Sequence, residues 1–260
     1  MARLGEVPLS ERLGLLWASY DPSATPPAHP LICHLLDVAA LARALLTSSA
    51  PARLTRAAEL AGVAERDALA WLTFTVALHD VGRATPGFQS QHAGPRAALE
   101  ALGLDLDAGP EPHGPRAAVL VAPHLERLGC PPPLARALAL AGERHQGEHA
   151  PSEPPPEQSG EERSFAGRSP LWDALRGELV DALAAVLGVP EARAPCWPRE
   201  PAARRAFLAE VTELGASARR IISGPDGFPH AWPPRDATSY FLKIVQPAAR
   251  AVDRARYRPA

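Results

Sequence analysis

The stretch ALHDVGRATPGFQ, residues 77–89, sets His79 and Asp80 side by side at the end of a long apolar run. Apolar side chains recur through residues 65–80, among them Trp71, Leu72, Phe74 and Val76, and Gly82 marks the stop of a helix. Successive residues of an α-helix stand about 100° apart around its axis, so the His79 imidazole and the Asp80 carboxylate can reach one cation. Asp80 has two oxygens and could bridge two cations. Mixed imidazole and carboxylate donors suit borderline transition metals, whereas magnesium prefers oxygen. The dipeptide alone also fits a surface helix end, with histidine near the negative pole of the helix dipole.

Upstream, His34 opens a helical pattern over residues 34–46, in which Leu35, Val38, Ala39, Ala42, Leu45 and Leu46 share helical spacing. Asp37, three residues on, shares the face of His34; it could orient the imidazole or simply lie in solvent. Further helices are expected over 53–60, with Gly62 as the stop, and over 115–128, 132–144, 170–187, 201–222 and 236–254. Residues 21–30 are turn-rich, and no strand alternation or internal repeat is visible. An all-α fold follows, with 1–260 as one domain. Residues 147–169 are rich in Pro, Glu, Ser and Gly, too polar to bury themselves, and are expected to form a flexible loop within it.

Composition narrows the function. Of 260 residues, 46% are hydrophobic but only 5% aromatic, so the core must be mainly Leu, Ala and Val. The formal charge of -2 supplies no global basic field, so any nucleic acid must be held by a local patch or a partner. Cys33, Cys130 and Cys196 are scattered and form no CxxC, which argues against a disulfide framework or a zinc-thiolate site and fits a reducing cytosol. Glu6, Glu11 and Arg12 stand where a signal peptide needs an apolar core. Apolar runs such as residues 71–78 fall short of a bilayer span, so a cytoplasmic protein without membrane contact is expected.

His113 and His145 follow at the start and end of the next two helical segments, giving the order H…HD…H…H. Each alone is as readily structural or exposed as a ligand. His29, His92, His124, His149 and His230 read as surface residues. With HPLICHLLDVAALARALL (29–46), the opening stretch resembles the HD nuclease of type I CRISPR systems, the CRISPR-associated helicase-nuclease. PHG (112–114), RHQG (144–147) and ISGPDGFPHAW (222–232) extend the resemblance over nearly the whole chain. The Phe88-Gln89 pair is more specific than the HD dipeptide itself, since other HD hydrolases lack it.

The resemblance implies an all-helical HD phosphohydrolase fold and a two-metal phosphodiesterase acting on single-stranded DNA. His34, His79 and Asp80 would hold one ion, and Asp80, His113, His145 and Gln146 a second. The ions would be manganese, nickel, cobalt or magnesium. Arg83 would contact phosphate, and a helicase subunit and a Cascade-type surveillance complex would be the partners. No GxxxxGK[ST] is present, so the match is expected to be to a stand-alone HD component.

Three departures weigh against full activity. Relatives have lysine at Arg83, histidine at Gln146 and aspartate at Arg219; arginine cannot ligate a cation. Asp226 is the one nearby acid that could substitute. A degenerate HD domain kept for binding is therefore the competing expectation, with at most one firmly held metal. An HD nucleotide hydrolase fits the metal order but not the TPGFQ segment.

Overall fold

A computed structural model of the chain describes residues 9–20, 22–23, 27–107, 117–143 and 170–222. Helix α1 (Leu9–Leu15) leads into a two-stranded hairpin, β1 (Trp17–Tyr20) and β2 (Ala28–Pro30). Then come α2 (Leu31–Ala44), α3 (Pro51–Ala61), α4 (Glu65–Ala77), α5 (Pro86–Gln89) and α6 (Ala93–Glu100). The last four described are α7 (Ala117–Arg127), α8 (Pro132–Glu143), α9 (Pro170–Leu187) and α10 (Pro201–Ile222). The all-α expectation holds, with the hairpin as its exception. Its register, Trp17 opposite Pro30 and Tyr20 opposite Ala28, is interrupted near Ala18, and the Leu31 amide donates to the Leu16 carbonyl at 2.7 Å. Short strands, one ending in proline, carry no readable alternation.

Helix α4 is the hub, packed on α2, α3, α8, α9 and α10. It is buried on nearly every side, from Ala68 through Trp71, Leu72 and Phe74 to Ala77, as a helix without a polar face must be. The buried Thr73 hydroxyl donates to the Leu69 carbonyl at 2.7 Å and so costs the core no orphaned group. Helix α3 starts on Pro51 and ends at Gly62, whose φ of 65° is the left-handed cap that glycine supplies without strain.

Helix α2 continues as a π-turn over Leu45–Ser49. Together they form an apolar stretch, Leu31–Ser49, long enough to cross a bilayer by length and composition, which corrects the expectation that apolar runs all fall short of that length. Eight α2 side chains, Leu31 to Ala42, are buried inside the protein, so here it serves as a core helix. The expected helix over 236–254 and the loop over 147–169 lie outside the described residues.

Candidate metal centre

The expected long helix over 65–80 stops earlier. Helix α4 ends at Ala77 and tightens into a 3-10 turn over Leu78–Arg83. With three residues per turn, His79 and Asp80 diverge by about 120°, and residues three apart eclipse. That places Arg83 directly over Asp80, with Nη2 3.0 Å from Oδ2. Helix α2 brings in His34, whose Nε2 lies 3.0 Å from the same oxygen. His79 Nε2 is 3.1 Å from it. The three donor atoms of His34, His79 and Asp80 lie within 4.8 Å of one another. Asp80 is 2% exposed and His79 4%, so neither sits on a surface helix end.

His79 Nδ1 donates to the Val76 carbonyl at 3.1 Å, a bond that requires the proton on Nδ1. Nε2 is then the ring nitrogen left to face the Asp80 oxygen, 3.1 Å away, where it can meet it through a proton or a metal ion. Buried, pre-oriented imidazoles around one carboxylate are the donor set a divalent transition ion accepts, so the residues fit a metal. Burial holds the His34 pKa below its ordinary value, with His79 and Arg83 adding to it against Asp80, which keeps a neutral ligand available. Burial opposes ionisation of Asp80, but His79, His34 and Arg83 outweigh it and hold the carboxyl well below the usual range.

The stretch that follows is a brace. Gln89 is fully buried; its amide donates to the carbonyls of Trp17 and Arg83, both at 2.9 Å, and accepts the Trp17 amide at 3.2 Å. It ties the hairpin to the 3-10 turn. Phe88 packs on Trp17 with ring centroids 4.5 Å apart and lies beneath the Arg83 guanidinium. The specificity of Phe88-Gln89 thus has a physical reason.

Several expectations change. Arg83 Nη1 donates to the Ala18 carbonyl while Nη2 holds Asp80, so Arg83 faces inward and is not turned to a phosphate. Asp37 does not reach His34; it lies 3.4 Å from His29 Nε2. His29 is half-buried and its ring stands 6.4 Å from that of His34. His92 is stacked on Tyr20 at 4.4 Å and edge-on to Trp17. His124 is half-buried, and that burial lowers its pKa. None of the three is a plain surface residue. Arg219 is half-buried on α10; burial lowers its pKa while the Asp80 charge supports it. His113, His145, Gln146 and Asp226 lie outside the described residues.

The sequence reading missed Arg176. It is fully buried on α9, donates to the Ala84 carbonyl at 2.9 Å and pairs with Asp173, fixing the exit of the 3-10 turn. A cation within the apolar stripe of Trp172, Leu179 and Leu183 was the available signal.

Comparison with known proteins finds relatives in both sequence and fold. A family model described as Cas3, HD domain, matches residues 17–215. CRISPR-associated endonuclease/helicase Cas3 of Thermus thermophilus is 31% identical over 230 residues, 88% of this chain and 24% of that protein. The chain thus spans about a quarter of that relative. The crystal structure of the Thermus thermophilus cas3 HD domain in the presence of Ni2+ superposes with a TM-score of 0.59 at 30% identity, over 92% of this chain and 89% of that one. A crystal structure described as a CRISPR-associated protein gives 0.69 at 29% identity, over 97% and 28%. T. fusca Cas3-ADP shares the fold at 0.69 and 24% identity, over 92% and 26%. With the family model covering most of its length and the HD pair at its buried centre, this chain belongs to the Cas3 HD-domain family.

Proposed function

We propose that the chain is a metal-dependent nuclease that cuts single-stranded DNA in type I CRISPR interference. The observation that carries this reading is the convergence of His34 and His79 on Asp80 Oδ2 at 3.0 and 3.1 Å in a buried site. His34, His79 and Asp80 would hold the ion. Manganese, nickel, cobalt and magnesium are the candidates, and a relative crystallised with Ni2+ favours the imidazole-accepting ones. A bound divalent ion would polarise a phosphodiester and lower the pKa of a water. Arg83 is then a positioning residue that keeps Asp80 ionised and aimed. His113 and His145 are proposed as further ligands, with Gln146 and Asp226 as substitutes. The whole chain is read as one HD-type domain.

A formal charge of -2 favours delivery of DNA by a helicase and a surveillance complex over capture by this chain alone. A second reading, a domain kept for assembly with weak or lost turnover, is favoured by the half-buried Arg219 of α10, a cation whose charge is supported electrostatically by Asp80. The test is cleavage of labelled single-stranded DNA with each metal, with chelator, and by Asp80→Ala. Cleavage that needs the metal and Asp80 supports the nuclease; none under any condition leaves the assembly reading.

A further inference from the structure

The two imidazoles that meet Asp80 are oriented in different ways. His79 is fixed at both ring nitrogens, with Nε2 3.1 Å from Asp80 Oδ2 and Nδ1 donating to the Val76 carbonyl at 3.1 Å. Among the described residues, His34 has one hydrogen-bond partner, Asp80, at 3.0 Å from Nε2. Its side chain is 16% exposed, so solvent reaches it. A ligand imidazole held at one nitrogen alone can still tip and turn, and contacts beyond the ligands are what normally stop it.

His29 supplies such a contact. Its ring stands T-shaped to that of His34, with centroids 6.4 Å apart and planes at 86°, an arrangement that aromatic rings favour. The backbone fixes where His29 stands. It lies on β2 opposite Ser19 of β1, and directly before Pro30, which restricts it to extended backbone. Asp37 then fixes the side chain, with Oδ2 3.4 Å from His29 Nε2. Asp37 follows His34 by three residues on α2, so one helix face carries both the ligand and the anchor of the ring that braces it. The link closes on itself, from α2 through Asp37 and His29 back to His34.

We infer that His29, anchored by Asp37, is a positioning residue that sets the orientation of the His34 imidazole for a metal ion. This rests on the reading of His34, His79 and Asp80 as metal ligands, and deepens it. The hairpin thereby gains a task in the centre, since it carries His29 there.

The test is a titration of the full chain with Co2+, followed by the visible absorption of the bound ion, which reports ligand number and geometry. Neither DNA nor turnover is involved. His29→Ala should weaken Co2+ binding by about tenfold and alter the spectrum. Asp37→Ala should lose a smaller share, and Asp37→Asn, which keeps an oxygen beside His29, little. Asp37→Ala added to His29→Ala should cost nothing further, because Asp37 acts through His29. His29→Phe, which keeps a ring against His34, should retain most of the affinity. An unchanged affinity and spectrum in His29→Ala would overturn the inference. So would Asp37→Asn losing as much as Asp37→Ala, the mark of a charge acting on the ion directly. If His29→Ala does not fold, Asp37→Ala decides, and an unchanged affinity and spectrum there overturns the inference. His34→Ala separates the two readings. If it binds Co2+ like the unmodified chain, the ligand reading itself falls; if it binds weakly while His29→Ala binds normally, this inference alone falls.

Discussion

Two regions of the molecule are held together by polar contacts in opposite ways. At the seam between α3 and α10, Arg53 reaches Glu210 at 2.7 Å and Glu213 at 3.2 Å, with the Glu213 side chain 71% exposed. Water can replace these partners almost at once. At the 3-10 turn, Gln89 makes three hydrogen bonds at 0% exposure, and Arg176 and Arg83 hold carbonyls of Ala84 and Ala18. Around Gln89 and Arg176 burial keeps water out, so removing either leaves a stranded dipole. Contacts of similar length therefore differ in worth by their surroundings. The metal centre stands on the costly kind.

The largest expected effect is in the apolar hub that carries both regions. Phe74 is fully buried, and Phe74→Ala should cost about 3–5 kcal/mol, read from urea unfolding by circular dichroism. Gln89→Ala comes next, at about 2–4 kcal/mol, because it orphans the Trp17 amide and the Trp17 and Arg83 carbonyls. Arg53→Ala should cost about 1 kcal/mol or less in the same assay. If Gln89→Ala proves as mild as Arg53→Ala, the contrast between buried and exposed braces is broken.

The smallest effect is chemical. Burial pushes the Cys33 and Cys130 thiols up to about 12, while Cys196 is exposed. A thiol reagent on the native chain should modify Cys196 alone, and urea should release the other two. Fast reaction of Cys33 without denaturant would mean that the α2 side of the centre opens readily.

How much of this could be read beforehand follows from the range of each interaction. Helices α9 and α10 were legible to the residue because Pro170 and Pro201 start them and their apolar positions repeat at helical spacing. His34, His79 and Asp80 were legible because their order and local wording survive in one dimension. The 3-10 turn was not, since the switch from 100° to about 120° per residue leaves no mark in so short a segment. That switch decides what Arg83 does. The partner of Asp37 was misread because the hairpin, itself unread, delivers His29 to it. Gln89 stood out as a motif, but its role depends on Trp17, 72 residues away.

The central claim is that His34, His79 and Asp80 are ligands of one ion. The direct measurement is X-ray absorption and anomalous scattering from the chain loaded with Ni2+ or Mn2+. The account predicts one ion with His34 and His79 nitrogens and an Asp80 oxygen at about 2.0–2.2 Å. An ion bound elsewhere, or one with no imidazole among its ligands, would contradict it.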